Sequence, residues 1–238
     1  MFVEQIFVML ILSYIGVLIL ALVLLKKDLQ KSLSNVFRFR GRSITVVGAA
    51  FTLLYLGLWY LISFVAGSRF ELLSFPSLEG YGNYAVSSPF SAFLLQLLFV
   101  SIGAFSEEVA YRAYVQTSVS SKYGYVAGIL VATLLFSLQH IHIFQLSWIE
   151  NFFQTQFVHV ILFGVFVGYF FHKTNENLWG VTSFHCLLNI LSVSIPVLVI
   201  ATSPFASQFV DIVSFAVMIL ILKLLFSKKL SHSKQIDK

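Results

Sequence analysis

The chain has 238 residues, of which 58% are hydrophobic and 11% charged, with 26 Phe, one Cys and a formal net charge of +5. A mean hydropathy of +0.90 is too apolar for a soluble domain of this length and implies a polytopic membrane protein. The lone Cys186 excludes an intramolecular disulfide and any paired-thiolate metal site. The basic residues gather at the ends of apolar stretches rather than in aromatic-interleaved patches, which argues against nucleic-acid binding.

Seven apolar stretches, near 4–25, 44–66, 90–112, 124–147, 152–172, 177–200 and 205–226, are long enough to cross a hydrocarbon core that takes about 20 helical residues. The first starts Met1-Phe2-Val3-Glu4 without a positive n-region and is followed by Lys26-Lys27, so it is expected to stay as an anchor rather than to be cleaved. Residues 67–89, with Pro76, Gly80, Gly82 and Pro89, form the longest predicted outer loop, built mainly of turns. Thirteen of the fifteen basic residues fall on one side of this arrangement, Arg69 falls on the other, and Arg112 lies inside the third stretch. That bias predicts the N-terminus outside and the C-terminus cytoplasmic.

The expected fold is therefore an all-α polytopic helix bundle of about seven spans, forming one integral-membrane domain over 1–238. Residues 1–89 supply two N-terminal spans and the outer loop, 90–200 the core spans, and 201–238 the last span with a basic tail. Nothing in the sequence assigns an oligomeric state.

Three polar clusters interrupt the apolar spans. A charged side chain near the bilayer centre costs about 2.5–3.5 kcal/mol even on the lenient insertion scale, so such residues face a protein interior and are functional candidates. The third span carries Glu107-Glu108-x-x-x-Arg112, the fourth Phe136-x-x-x-His140 and the sixth His185-x-x-x-Asn189. Residues four apart share a helix face, so Glu108 and Arg112 are expected to pair, while Glu107, about 100° away, faces a cavity. A plain helix cap is the simpler reading of the trio, but two carboxylates at the C-terminal end of a helix oppose its dipole. Phe136 is placed to pack beside His140, and His185 shares a face with Asn189. Interhelical hydrogen bonding competes with a catalytic role for these groups, and it is the expected role of His142, His159 and His172, which have no partner at helical spacing.

Glu-Glu-x-x-x-Arg, Phe-x-x-x-His and His-x-x-x-Asn, in this order on successive membrane helices, resemble the CPBP family of intramembrane proteases, which includes the type II CAAX prenyl endopeptidases and the bacterial Abi proteins. Ala113 stands where many members carry Gly after the Arg. The resemblance implies that Glu107 is the general base that activates water and that His140 positions or polarises that water. It makes His185 and Asn189 the stabilisers of the oxyanion, with Glu108, Arg112 and Phe136 supporting the site. It further implies membrane-associated or lipidated peptide substrates in a multi-pass protein of the cell membrane, expected to be bacterial.

No cofactor is expected. If zinc takes part, Glu107, His140 and His185 are the ligands the resemblance offers, with water in the fourth position. The sequence contains no His-Glu-x-x-His, no Gly-x-Gly-Asp for an aspartyl site and no Gly-x-Ser-Gly for a rhomboid-like serine. Adjacent His185 and Cys186 diverge by about 100° on a helix, so they do not make a dyad. Two other classes compete: a non-catalytic immunity or binding protein of the same fold, and a proton-coupled transporter. The transporter predicts broken helices in matching halves, and no internal repeat is present.

Overall fold

The computed structural model describes residues 3–28, 42–72, 88–141, 149–150, 152–195, 197–201 and 203–227. Helices α1 (Val3–Asp28) and α2 (Arg42–Val65) are followed by strand β1 (Arg69–Leu72). Then come helices α3 (Pro89–Tyr123), α4 (Tyr125–Gln139), α5 (Phe152–Lys173) and α6 (Leu178–Ser194), strand β2 (Val197–Ile200) and helix α7 (Pro204–Ser227). The seven apolar stretches correspond to these seven helices. By length and composition α1, α2, α3, α5 and α7 are sufficient to cross a membrane, whereas α4 and α6 are shorter apolar helices.

Three boundaries differ from the sequence expectation. The third span does not stop at 112: α3 continues to Tyr123, starting from Ser88 as N-cap with Pro89 in its first turn. Its stretch Glu108–Gln116 is wound as π-helix, a rare form that concentrates at functional sites. The fourth span was expected to reach 147, yet α4 ends at Gln139 with His140 as C-cap; residues 142–148, with His142, lie outside the described residues.

The sixth span was expected to be helical to 200, but α6 ends at Ser194. Ile195 adopts φ −81°, ψ 115°, the extended backbone that a following proline, here Pro196, enforces. The Val-Leu-Val-Ile run beyond it suits a strand and pairs antiparallel with β1, Arg69 opposite Ile200 and Leu72 opposite Val197. A fold expected to be all-α therefore carries a small sheet, and part of the predicted outer loop belongs to it.

Small residues set the helix crossings, as they do wherever helices meet in lipid without a hydrophobic drive. A Cβ on Gly48 of α2 would lie 2.2 Å from the carbonyl oxygen of Gly180 in α6. One on Gly128 would meet the Gln116 carbonyl oxygen at 2.7 Å, and one on Gly164 the Thr133 methyl at 2.7 Å. These contacts lock α3 to α4 and α4 to α5. Gly124, at φ +83°, makes the turn between α3 and α4. The Phe content fills the centre, where Phe51, Phe166, Phe170, Phe184 and Phe215 pack edge to face and tilted.

The α3–α4 hairpin sets the level of the polar residues. Glu107 is 16 residues from the end of α3 and His140 is 15 from the start of α4, which places both roughly 22–24 Å from the turn. Alongside, α1 runs parallel to α3: the Ser88 amide donates to Glu4 Oε1 at 3.0 Å, and Tyr14 packs on Phe99.

Candidate active site

The motif residues meet where α3, α4 and α6 converge. Glu107 is the last α-helical residue before the π stretch and Glu108 the first within it, and both are buried. Glu108 forms the expected pair with Arg112, Oε2 to Nε 3.3 Å. Its other oxygen, Oε1, accepts from His185 Nδ1 at 2.8 Å. Arg112 is fully buried. Its Nη1 and Nη2 find no hydrogen-bond acceptor among the described residues, and the guanidinium lies over the Phe136 ring, 5.4 Å from the centroid.

Glu107 differs from the expectation of a carboxylate simply facing a cavity. Its Oε1 accepts from the Tyr14 hydroxyl at 2.9 Å and from the Gln139 amide, and Gln139 in turn accepts from the Tyr111 hydroxyl at 2.5 Å. Oε2 points to His185 Nε2 at 3.7 Å. One oxygen is thus anchored by two donors while the other is left toward the imidazole. His185 stands between the two glutamates, one ring nitrogen directed at each.

His140 packs on Phe136 with ring centroids 4.6 Å apart, as its spacing predicts. Its Nδ1 lies 2.8 Å from the Phe136 carbonyl and donates to it, which leaves Nε2 as an acceptor. His140, His185 and Asn189 line one cavity of about 100 Å³ with Phe136, Phe163 and His159. It adjoins a larger one, of about 550 Å³, bounded by α2, α5, α6, β2 and α7, to which His140, Asn189 and His159 also contribute. Neither cavity is lined by the glutamates, which stand behind His185.

His159 makes the interhelical hydrogen bond expected of it, with a partner the sequence reading had not singled out. Its Nδ1 is 3.2 Å from Asp211 Oδ1 in α7, and the same oxygen accepts from the Tyr55 hydroxyl and Trp59 Nε1, each at 3.1 Å. His172, of which the same was expected, stacks on Tyr125 with ring centroids 4.3 Å apart. Cys186 donates to the Ser101 carbonyl at 3.5 Å, away from His185. The sequence reading missed Tyr14, Gln139, Tyr55 and Asp211. Asp211 alone had a signal: it is the one carboxylate in the last span.

The donors fit zinc poorly. Among the described residues no three His, Cys, Asp or Glu side chains converge as a metal-holding group, and the ring nitrogens of His185 are directed at two carboxylates.

A bundle of apolar helices, five of them long enough to cross a membrane among the described residues, with Glu, His and Asn side chains gathered where three helices converge, defines a helical membrane protein. Residues 89–191, from the start of α3 into α6, match the family described as Rce1-like, type II CAAX prenyl endopeptidase Rce1-like. The matched segment carries all three motifs, and the family it matches is the one the resemblance had named. Neither curated proteins nor solved structures return a match to the chain.

Proposed function

We propose that the protein is an intramembrane endopeptidase that cleaves membrane-associated or lipidated peptides in a cell membrane, with Glu107 as base. The observation that carries this reading is the division of the Glu107 carboxylate: Oε1 is held by Tyr14 and Gln139, and Oε2 is presented 3.7 Å from His185 Nε2. A water beside these two atoms is within reach of both. As its oxygen attacks the peptide carbonyl, its proton passes to Oε2. The negative charge passes from the Glu107 carboxylate to the tetrahedral oxyanion as the proton moves to Oε2, so the step transfers charge within the site and needs donors at the oxyanion.

Asn189 donates to the developing oxyanion, joined by His185 Nε2 when that ring is doubly protonated with Nδ1–H on Glu108, and His140, with Nε2 as acceptor, orients the water. Glu108 and Arg112 fix the His185 ring, and Phe136 fixes both His140 and Arg112. Supporting a metal-independent route is the hydrogen bond that commits His185 Nδ1 to Glu108, 2.8 Å away. The same cluster in a non-catalytic binding protein would not require one carboxylate oxygen to be left without a donor.

Purified protein in lipid, given membrane-spanning peptides, is expected to produce defined fragments, and to do so after exhaustive chelation. Glu107→Gln is expected to fold with wild-type abundance and to cleave nothing, since the amide cannot take the proton. Wild-type turnover by that variant, or loss of turnover that zinc restores, would overturn the assignment.

A further inference from the structure

We propose that His159 delivers the proton to the departing amine and that Asp211 is its positioning residue; this rests on the peptidase reading above. Neither residue belongs to the three motifs, and Asp211 lies outside the matched segment 89–191. They come from α5 and α7 and meet 52 positions apart at 3.2 Å.

The geometry orients the imidazole. Nδ1 lies beside Asp211 Oδ1 and 3.3 Å from the Tyr55 hydroxyl oxygen, so this nitrogen carries a proton and donates it. Asp211 is itself buried, 4% exposed, and Tyr55 and Trp59 hold the same oxygen in place. The His159 side chain is 36% exposed, and its Nε2 has no partner among the described residues. The residue lines the small cavity beside His140, His185 and Asn189 and also the large one. A carboxylate-held imidazole with its far nitrogen open to a reaction chamber is the arrangement of a proton donor or acceptor.

The other groups of the chamber leave that task open. Glu107 takes a proton from water, and the Nδ1 protons of His140 and His185 are committed to the Phe136 carbonyl and to Glu108. An amine leaves a tetrahedral intermediate with difficulty unless its nitrogen is protonated. In the proposed step the C–N bond breaks as the nitrogen takes the Nε2 proton of His159, which becomes neutral and keeps its Nδ1 proton on Asp211. The proton held by Glu107 then returns to His159 by way of His185, whose Nε2 is 3.7 Å from Glu107 Oε2, and water in the cavity that both histidines line. The sum is one water consumed, with its hydroxyl on the acyl product and its proton on the amine.

The test compares one membrane peptide with its depsipeptide analogue, in which the scissile amide is an ester. An alkoxide leaves without prior protonation far more readily than an amide anion. His159→Gln is expected to lower amide kcat on the order of 100-fold, with KM within about twofold, and to lower ester turnover much less. Asp211→Asn is expected to lower amide kcat about tenfold, and Asp211→Glu to recover part of the loss. Equal losses on amide and ester, or an unchanged amide rate in His159→Gln, would overturn the proposal while leaving Glu107 as base. Absence of cleavage of either substrate by the wild type would instead remove the peptidase reading, and this proposal with it.

Discussion

Replacing Glu108 by Gln removes the one carboxylate paired with Arg112 among the described residues, where the Arg112 side chain is fully excluded from solvent. The guanidinium then keeps only the Phe136 face, because Nη1 and Nη2 already lack acceptors among the described residues. Breaking a buried ion pair from one side costs about 3–5 kcal/mol, since the remaining charge is left in a low-dielectric interior. For a chain of this size each kcal/mol moves the unfolding midpoint by about 2–4 °C, so Glu108→Gln is expected to melt roughly 6–20 °C below wild type. The double variant Glu108→Gln, Arg112→Met deletes both charges and is expected to recover most of that loss. Neither variant should cleave peptide, because His185 loses its Glu108 anchor in both. Thermal unfolding in detergent, followed by light scattering or intrinsic fluorescence, measures the cycle. A single variant as stable as wild type, or a double variant no more stable than the single, would refute the view that Glu108 offsets the Arg112 charge.

Tyr14→Phe removes a 2.9 Å donor from Glu107, and a hydrogen bond to a charged group is worth about 1.5–3 kcal/mol. Turnover should fall at least about tenfold with KM kept, as steady-state kinetics would show. Gly48→Ala forces a methyl to within 2.2 Å of the Gly180 carbonyl oxygen, a backbone clash expected to cost about 1–3 kcal/mol or more and to be visible as reduced folded yield. For orientation, a reporter fused after Lys238 should be cytoplasmic and a cysteine at Ser77 should label from outside; the reverse pattern would invert the topology.

The parts of this site that were legible in the sequence are those joined by one helical turn. Glu108–Arg112, Phe136–His140 and His185–Asn189 are each four residues apart, and that spacing alone puts them on common faces. What pairs across the bundle left no such trace. Glu107 is held by Tyr14, 93 residues away, and His159 by Asp211, so local spacing gave His159 an interhelical hydrogen bond in general but not the partner that makes it. The strand β2 illustrates a second limit. A short apolar run reads equally as buried helix or strand, and only Pro196, with its constraint on Ile195, separated the two. The π-helical winding of Glu108–Gln116 has no compositional mark that we can identify; its effect is to place the two glutamates on either side of a change in helical pitch.

The close crossing of Gly48 and Gly180 near the starts of α2 and α6, and the β1–β2 ladder just past their other ends, fasten the same two helices twice. A rod pinned at two places can neither slide nor swivel about its long axis. His185 and Asn189 lie between the pins, so the backbone that carries them is a stiff frame, within which side chains such as Glu108 set the aim of the ring. The last turn of α4 has no comparable backbone fastening among the described residues and is held by side chains, Gln139 on Glu107 and Tyr111 and Phe136 among the rings. Fluctuations in the width of the chamber are therefore carried by the His140 wall. Substitutions that loosen that turn should broaden the range of peptides accepted before they lower the rate on the preferred one.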